Sequence, residues 1–507
     1  MPFTFRGLIL IALACWSLVA TARDAAPGRP ADRVVQSELT GSDHRTVRRV
    51  PFDVPEGTAS VAVRVRHDGA NDRTVVDIGL DDPFGFRGWS GGNKSYFEVG
   101  LYRSTPSYLP GPLPAGRWSL VLSMPNVRPS ATAKVTAEIW FLSEQEEQRG
   151  RLVLKDQPGW YRGELHSHTG HSDGTCLSTS RRRVGCPVFL TAQRAADEGL
   201  DFIAITDHNT VSHFQAMEEA QAYFDQLLLL PGMELTTFWG HANLIGITAP
   251  IDHVRATRSP RDLSEVVKQA RQRGAFAIIN HPGLPSGEEC MGCGWNPVAG
   301  EGLEVDAVEV FNGSVIQTQS GLIEGSLSGY QHWLGHLRSG RRVLPIGASD
   351  NHDPQRLREL QGSIGRPSTV VMARNLSASA ILDGLRNGRA FVDLEGIKGR
   401  VVDLSLVTEQ GAVPMGSTAA LAVGRTYQLG LKATELPKGV VIQWMADGAP
   451  FAESRDAHGG TQQILVKFRP SKVGRQALFA RVLNEDGRLI AFTGPVYADV
   501  QRDQIAQ

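Results

Sequence analysis

The chain has 507 residues, too long for one ordinary domain of about 150 residues and long enough for two to four. With 41% hydrophobic and 21% charged residues, it is neither a mostly disordered chain nor a collagen-like one. Lys+Arg 52 against Asp+Glu 53 leaves a formal net charge of -1, so no overall field favours nucleic acid or an anionic membrane.

Arg6 precedes the apolar run GLILIALACWSLVA, and Ala20-Thr21-Ala22 offers a small-x-small cleavage site. These are the features of a secretory signal peptide, expected over residues 1–22. The run is shorter than the ~20 apolar residues a spanning helix needs, and no later stretch is as apolar, so no membrane span is expected after cleavage. The mature chain is expected to be exported, periplasmic or secreted. Cys15 is expected to leave with the signal. That leaves Cys176, Cys186, Cys290 and Cys293, whose three possible pairings are not resolved by sequence. Local disulfides (Cys176–Cys186 and Cys290–Cys293), crossed disulfides and metal ligation by Cys-x-x-Cys all stay open.

Residues 30–145 alternate apolar and polar side chains in short runs such as SVAVRVRHD, TVVDIGL and AKVTAEIWFL, separated by Gly- and Pro-rich turns. That pattern predicts an antiparallel β-sandwich. Residues 396–507 repeat it, with VVDLSLV, TYQLGLKA and QALFARVLN, and predict a second, Ig-like β-sandwich. Between them, 155–395 changes character. DLSEVVKQARQRG carries Leu263, Val266, Val267 and Ala270 on one helical face, with Gly274 placed to end the helix. Apolar strands AFAIIN, DFIAIT, DAVEVF and RVLPIGA alternate with such segments, so this part is α/β, with parallel βα units in a barrel or an open sheet.

Eleven of the 14 histidines fall between His166 and His352. His166 and His168 are spaced so that both rings leave one face of an extended strand. Asp173 follows in a Ser-Asp-Gly turn. Strand DFIAIT runs into Thr206-Asp207-His208-Asn209, LLPGMEL brings Glu234, His241 opens HANLIGI, AFAIIN ends at His281, and RVLPIGA ends at Asp350 and His352. Each has a plainer explanation when taken singly, as a turn, a cap or a solvated acid. Jointly, six imidazoles and three carboxylates at predicted strand ends converge on one mouth, and that donor set suits several divalent ions, Zn, Mn or Fe. His171, His213, His253, His332 and His336 fall outside the pattern and are expected on the surface or on helices.

The ordered motifs HSHTGHSDG (166–174), TDHN (206–209), GME (232–234), GHANLIG (240–246), NHP (280–282), VEVFN (308–312) and ASDNH (348–352) resemble the PHP family, named for polymerase and histidinol phosphatase. HPGLPSGEECMGCGW (281–295) is similar to the carbaryl-hydrolase-like (CehA/McbA) branch. The motifs cover about 190 residues of the chain. The resemblance implies a distorted (β/α)7 barrel over 155–395, flanked by the two β modules. By position it implies that His166, His168, Glu234 and Asp350 hold one metal, and that Glu234 bridges to a second held by His241 and His281. Asp173, His208 and His352 would hold a third. Many members have His where this chain has Asp173, and others have Asp. Asp207, Asn209, Glu309 and Asn312 become candidates for orienting imidazoles or substrate.

The activity implied is a metallohydrolase in which metal-bound hydroxide cleaves a small phosphoester, or a carbamate or carboxylic ester. The alternatives are an exported phosphodiesterase or exonuclease acting on nucleotides or nucleic acid, and a non-catalytic binding module. Net charge and export weigh against nucleic acid, and a complete ligand set weighs against a module without chemistry. Oligomeric state is not encoded in any pattern read here.

Overall fold

The computed structural model describes residues 26–502, apart from 93, 150–151, 289, 296–303 and 457. The expected signal peptide lies outside the described residues. Among the described residues no helix is long and apolar enough to cross a membrane.

Residues 33–142 form two four-stranded antiparallel sheets. One orders its strands as Arg33–Thr40, Thr132–Leu142, Ser60–His67, Tyr96–Gly100, and the other as Thr46–Val54, Gly116–Asn126, Val75–Asp82, Gly85–Ser90. The period-two pattern explains the packing: Val61, Val63 and Val65 share one apolar cluster with Ile78, Leu120, Leu122 and Ile139.

The central segment supplies nine strands: β1 (Gly159–Glu164), β2 (Phe202–Ile205), β3 (Leu228–Thr236), β4 (His241–Ile245), β5 (Phe276–Ile279), β6 (Ala307–Asn312), β7 (Leu344–Ala348), β8 (Ser368–Ala373) and β9 (Ala390–Asp393). They are hydrogen-bonded in the order β7-β6-β5-β4-β3-β2-β1-β8-β9. Beyond the ends of β1 and β7 the chain is paired again, with Ser167 bridged to Asn351 and Asp350 N donating to His166 O (3.0 Å). The seven strands β1–β7 are thereby closed on themselves at the end that carries the histidines. Phe202, Ala204, Leu228, Leu230, Ile278 and Ile346 belong to one cluster, while their neighbours Ile203, Ile205, Leu229 and Ile279 belong to another together with helical side chains. Alternate residues thus bury both faces, which is why these strands read as unbroken apolar runs.

The helix predicted from DLSEVVKQARQRG spans Pro260–Gln272, with the Ser259 hydroxyl accepting from Asp262 N, Leu263, Val266, Val267 and Ala270 buried, and Gly274 at φ +97° just beyond its end. Strand–helix alternation is not carried through every step. β3 and β4 form a hairpin across residues 237–240, so β4 runs antiparallel to both β3 and β5. Among the described residues no helix joins β5 to β6. The architecture is mixed α/β, rich in sheet, with several separate sheets.

The segment after 395 is not set apart by its hydrogen bonding. β9 pairs with Leu489–Thr493, and Gly474–Leu483, Val440–Ala446 and Ala449–Asp456 continue the same sheet. Phe391 of β9 sits in the cluster of Leu404, Leu431, Trp444 and Ile490. An otherwise open, apolar edge strand is covered in this way. A further four-stranded sheet is ordered Gly411–Pro414, Val401–Thr408, Tyr427–Leu436, Gly460–Phe468.

Candidate metal centre

All nine residues singled out as ligands meet at one end of the central strands, with Glu234 inside β3, His241 opening β4 and the other seven in the segments that follow strands. His166 and His168 extend β1. The Nδ1 of His166 lies 3.1 Å from Glu309 Oε1, which turns its Nε2 toward Glu234 Oε2 (3.3 Å) and Asp350 Oδ1 (3.2 Å). His168 Nε2 reaches the same two oxygens, at 3.4 and 3.2 Å. His208, past the end of β2, places Nδ1 3.1 Å from Glu234 Oε2 and beside the Thr236 hydroxyl (2.5 Å). On the other oxygen of Glu234, His241 Nδ1 stands at 3.2 Å and His281 Nε2 at 3.4 Å. Asp173 faces His352 (3.4 Å), His208 (3.6 Å) and His168 (3.9 Å).

Possible ligand atoms fall into overlapping groups, each within 4.8 Å: His166, His168 and Asp350; His166, Glu234 and His281; His208, Glu234 and His241; His168, Asp173, His208 and His352. A fifth group was not expected and joins His241 and His281 to Cys293. The groups thus differ in detail from the expected partition, since His241 and His281 meet Glu234 in separate sets. Burial is graded. His166, His168 and Glu234 are fully buried, whereas the side chains of His208, His352 and Asp173 are 26%, 37% and 56% exposed.

Burial alone would push the His166 imidazole down, yet Asp350, Glu234 and Glu309 hold it well above its ordinary value. Burial likewise opposes ionisation of Glu234, but the rings of His208 and His166 hold its carboxyl well below the carboxylate range. His168, buried and crowded by the neighbouring ring of His352, is lowered to about 4. His352 rises to about 9: burial opposes this, but its contacts with Asp173 and Asp350 outweigh it. The donor chemistry fits divalent cations. His166 Nε2, His168 Nδ1 and Glu234 Oε2 are buried lone-pair atoms without a hydrogen-bond partner, and such atoms are costly unless something else pairs with them. His281 (φ +28°), Asp350 (φ +53°) and Asn209 (φ +52°) are also held in backbone conformations uncommon for residues with a side chain, all at strand ends around the cluster.

Glu309 and Asn312 act directly on the ligands. Glu309 Oε2 accepts from His281 N (2.8 Å), and the Asn312 amide donates to Glu309 Oε2 (3.0 Å) and to Asp350 Oδ2 (3.1 Å). Asp207 and Asn209 instead bind neighbouring segments, Asp207 through one backbone N–H and two hydroxyls and Asn209 through backbone alone. Asp207 accepts from Thr169 N (2.8 Å), the Thr169 hydroxyl and the Ser172 hydroxyl (both 2.6 Å), and Asn209 exchanges two bonds with Thr236. The imidazole beside Asp207 is that of His213 (3.4 Å), outside the cluster. His213 is fully buried rather than superficial, and its Nε2 lies 3.1 Å from Gly232 O.

Two contributors escaped the sequence reading. Asn280 donates to Glu234 Oε1 (2.8 Å). Glu164, fully buried, accepts from four backbone N–H groups, those of Leu165 (3.0 Å), His166 (3.1 Å), Ser349 (3.0 Å) and Gly365 (3.0 Å). It thereby ties the His166 strand end to the Asp350 strand end, and burial pushes its carboxyl up to about 7 against those bonds. Its position two residues before His166, on the same strand face, was the available signal. Both local disulfides are formed: Cys176–Cys186 closes the hairpin Thr175–Leu177/Arg183–Gly185, and Cys290 is bonded to Cys293. The first fits an extracellular protein.

Fold and site together define a mixed α/β protein whose central strands carry a buried imidazole–carboxylate cluster able to hold divalent cations. No family model matches the sequence. No curated protein matches it either. Among solved structures it is similar to a two-domain protein from Bacteroides vulgatus containing a predicted PHP-like metal-dependent phosphoesterase, with 19% identity over 67% of this chain and 96% of that one and a TM-score of 0.37. A chitin-binding domain from Burkholderia pseudomallei shows 12% identity over 17% of this chain and 57% of its own, with a TM-score of 0.15. The CARDB domain of a Pyrococcus furiosus protein, in complex with di-metal ions, shows 14% identity over 19% and 88%, with a TM-score of 0.12. At these levels of likeness, what the site can do follows from its own atoms.

Proposed function

We propose that the protein is an exported metal-dependent hydrolase of the PHP superfamily, in its carbaryl-hydrolase-like branch, acting on a small phosphoester or on a carbamate or carboxylic ester. The observation that carries this reading is the Glu234 carboxylate, fully buried, with one nitrogen from each of five imidazoles within 3.4 Å. So dense a set of imidazoles and carboxylates, with buried polar atoms lacking a hydrogen-bond partner at its heart, suits two to three divalent cations. In this reading His166, His168, Glu234 and Asp350 would hold one cation, and Glu234 with His241 and His281 would hold another. Asp173, His208 and His352 would hold a third.

Such ions lower the pKa of a coordinated water and polarise the scissile group, so the chain need supply no Ser or Cys nucleophile. Its own residues do the positioning. Glu309 and Asn312 set the His166 ring and the Asp350 carboxylate, Glu164 locks the two strand ends together, and the partly exposed edge of Asp173, His208 and His352 admits the substrate. The closed run β1–β7 is read as the distorted (β/α)7 barrel of residues 155–395, between β modules at 30–145 and 396–507. The test is elemental analysis of purified protein, then a screen against p-nitrophenyl phosphate, bis-p-nitrophenyl phosphate, p-nitrophenyl acetate and 1-naphthyl methylcarbamate. Fully active protein free of metal would end the proposal.

A further inference from the structure

Cys293 is 1% exposed, and its sulfur lies within 4.8 Å of ligand nitrogens of the buried His241 and His281. The segment carrying it is pressed onto the centre by three independent contacts. His241 Nε2 lies 3.2 Å from Met291 O and His281 Nδ1 lies 3.3 Å from Cys293 O, so backbone carbonyls of the Met291–Cys293 segment meet both rings. Gly292, at φ +75°, sits so close over the Thr237 carbonyl that a Cβ there would overlap it. The thiol position is thus built into the wall of the cluster. A disulfide serving only as a staple has no need to sit beside two imidazoles.

We propose that Cys293 is a redox-gated ligand: freed from its disulfide, it joins His241 and His281 on the cation they hold, and bonded to Cys290 it cannot. Zn–N and Zn–S bonds of about 2.1 and 2.3 Å at a tetrahedral angle put a nitrogen and a sulfur on one ion about 3.6 Å apart, so side-chain shifts of about 1 Å, within reach of a cysteine freed to turn about its χ1, close the site. The step is a two-electron reduction by a dithiol. The reductant is oxidised to its own disulfide, the Cys290–Cys293 bond breaks, and the two protons pass to the two cysteine sulfurs. The Cys293 proton then leaves to solvent as its sulfur binds the cation. Imidazole with thiolate selects zinc-like ions over magnesium or calcium, so the reduced protein gains affinity for soft metals at this position.

This inference rests on the metal-centre reading, and cobalt(II) substitution separates the two. Full-length protein is stripped with a chelator, loaded with Co(II), and followed by absorption. Cys290→Ser frees Cys293 without any added reductant and leaves Cys176–Cys186 intact. Cys290→Ser is expected to show a near-ultraviolet thiolate-to-cobalt charge-transfer band, absent from oxidised wild type and from the Cys290→Ser/Cys293→Ser double variant. Wild type reduced with a dithiol and desalted should acquire the same band, which guards against a misfolded variant. Visible cobalt d–d bands with no charge-transfer band in either sample would overturn the role of Cys293 and leave the metal centre standing. Absence of the d–d bands everywhere would overturn the centre itself.

Discussion

Glu234→Gln is the sharpest perturbation of the proposed centre, because it removes one charge and almost no volume. The carboxylate is fully buried, with His208 at 3.1 Å, His241 at 3.2 Å, His166 at 3.3 Å, and His168 and His281 at 3.4 Å. At an effective dielectric of about 20, two unit charges 4 Å apart interact by about 4 kcal/mol, and a dication doubles this. Glutamine keeps one oxygen donor and part of that attraction. Deleting one member of a buried charge pair costs about 3–5 kcal/mol net. At about 1.4 kcal/mol per tenfold, metal affinity should fall by roughly two to three and a half orders of magnitude. Asp173 is the internal control: its side chain is 56% exposed, so water can replace it and screening limits its worth to about 0–1 kcal/mol. Metal per chain after dialysis, measured alongside turnover, should therefore collapse in Glu234→Gln. It should fall only in part in Asp173→Asn, with activity restored by added metal. Glu234→Gln retaining its metal and rate while Asp173→Asn is dead would refute the assignment.

Three further outcomes follow from the same geometry. Glu164→Gln replaces an acceptor of four backbone N–H bonds with a group whose amide must face at least one donor; with charged hydrogen bonds worth about 1.5–3 kcal/mol each, melting should fall by several degrees and metal be held less tightly. Thiol titration of the unfolded, unreduced mature protein should find no free thiol, since both pairs are bonded, and two reactive thiols would contradict this. Asn312→Ala should lower turnover more than stability, because it frees the Asp350 and Glu309 carboxylates it bridges; an unchanged rate would remove it from the positioning set.

The nine candidate ligands were legible in the sequence because each lies near the end or start of an apolar strand or in a turn beside one, and local pattern reports strand ends well. What was not legible depends on pairing between distant segments. Glu164 reads as an ordinary acid until Ser349 and Gly365 arrive from more than 180 residues away to donate to it. His213 resembles a helix-start residue, and only the return of β3 buries it against Gly232 O. The boundary near 395 follows the change in periodicity, yet the edge of β9 finds its partner in Leu489–Thr493, so one sheet runs across it. Cys290–Cys293 was one pairing among several, and its nearness to His241 and His281 depends on how the segment from Cys290 to Trp295 folds back.

The cluster must be balanced by something when cations are removed, and protons are what the metal-free chain has. His166 and His281 are held above the ordinary imidazole value: burial opposes this, but the surrounding carboxylates outweigh it. His352 is raised to about 9 against the same opposition. A histidine whose folded pKa lies above its unfolded value of about 6.5 contributes stability that is complete below that pH and is lost as pH rises through the folded value. His168, lowered to about 4, has the opposite sign but no longer titrates above pH 7. Metal-free protein should therefore lose melting temperature between about pH 6.5 and 9. Loaded protein should hold steady over that range, because bound cations replace the protons as counter-charge to Glu234 and Asp350. The measurement is a pair of thermal denaturation series, chelated and reloaded, across that window. Parallel curves for the two forms would mean that cations do not bind among these residues.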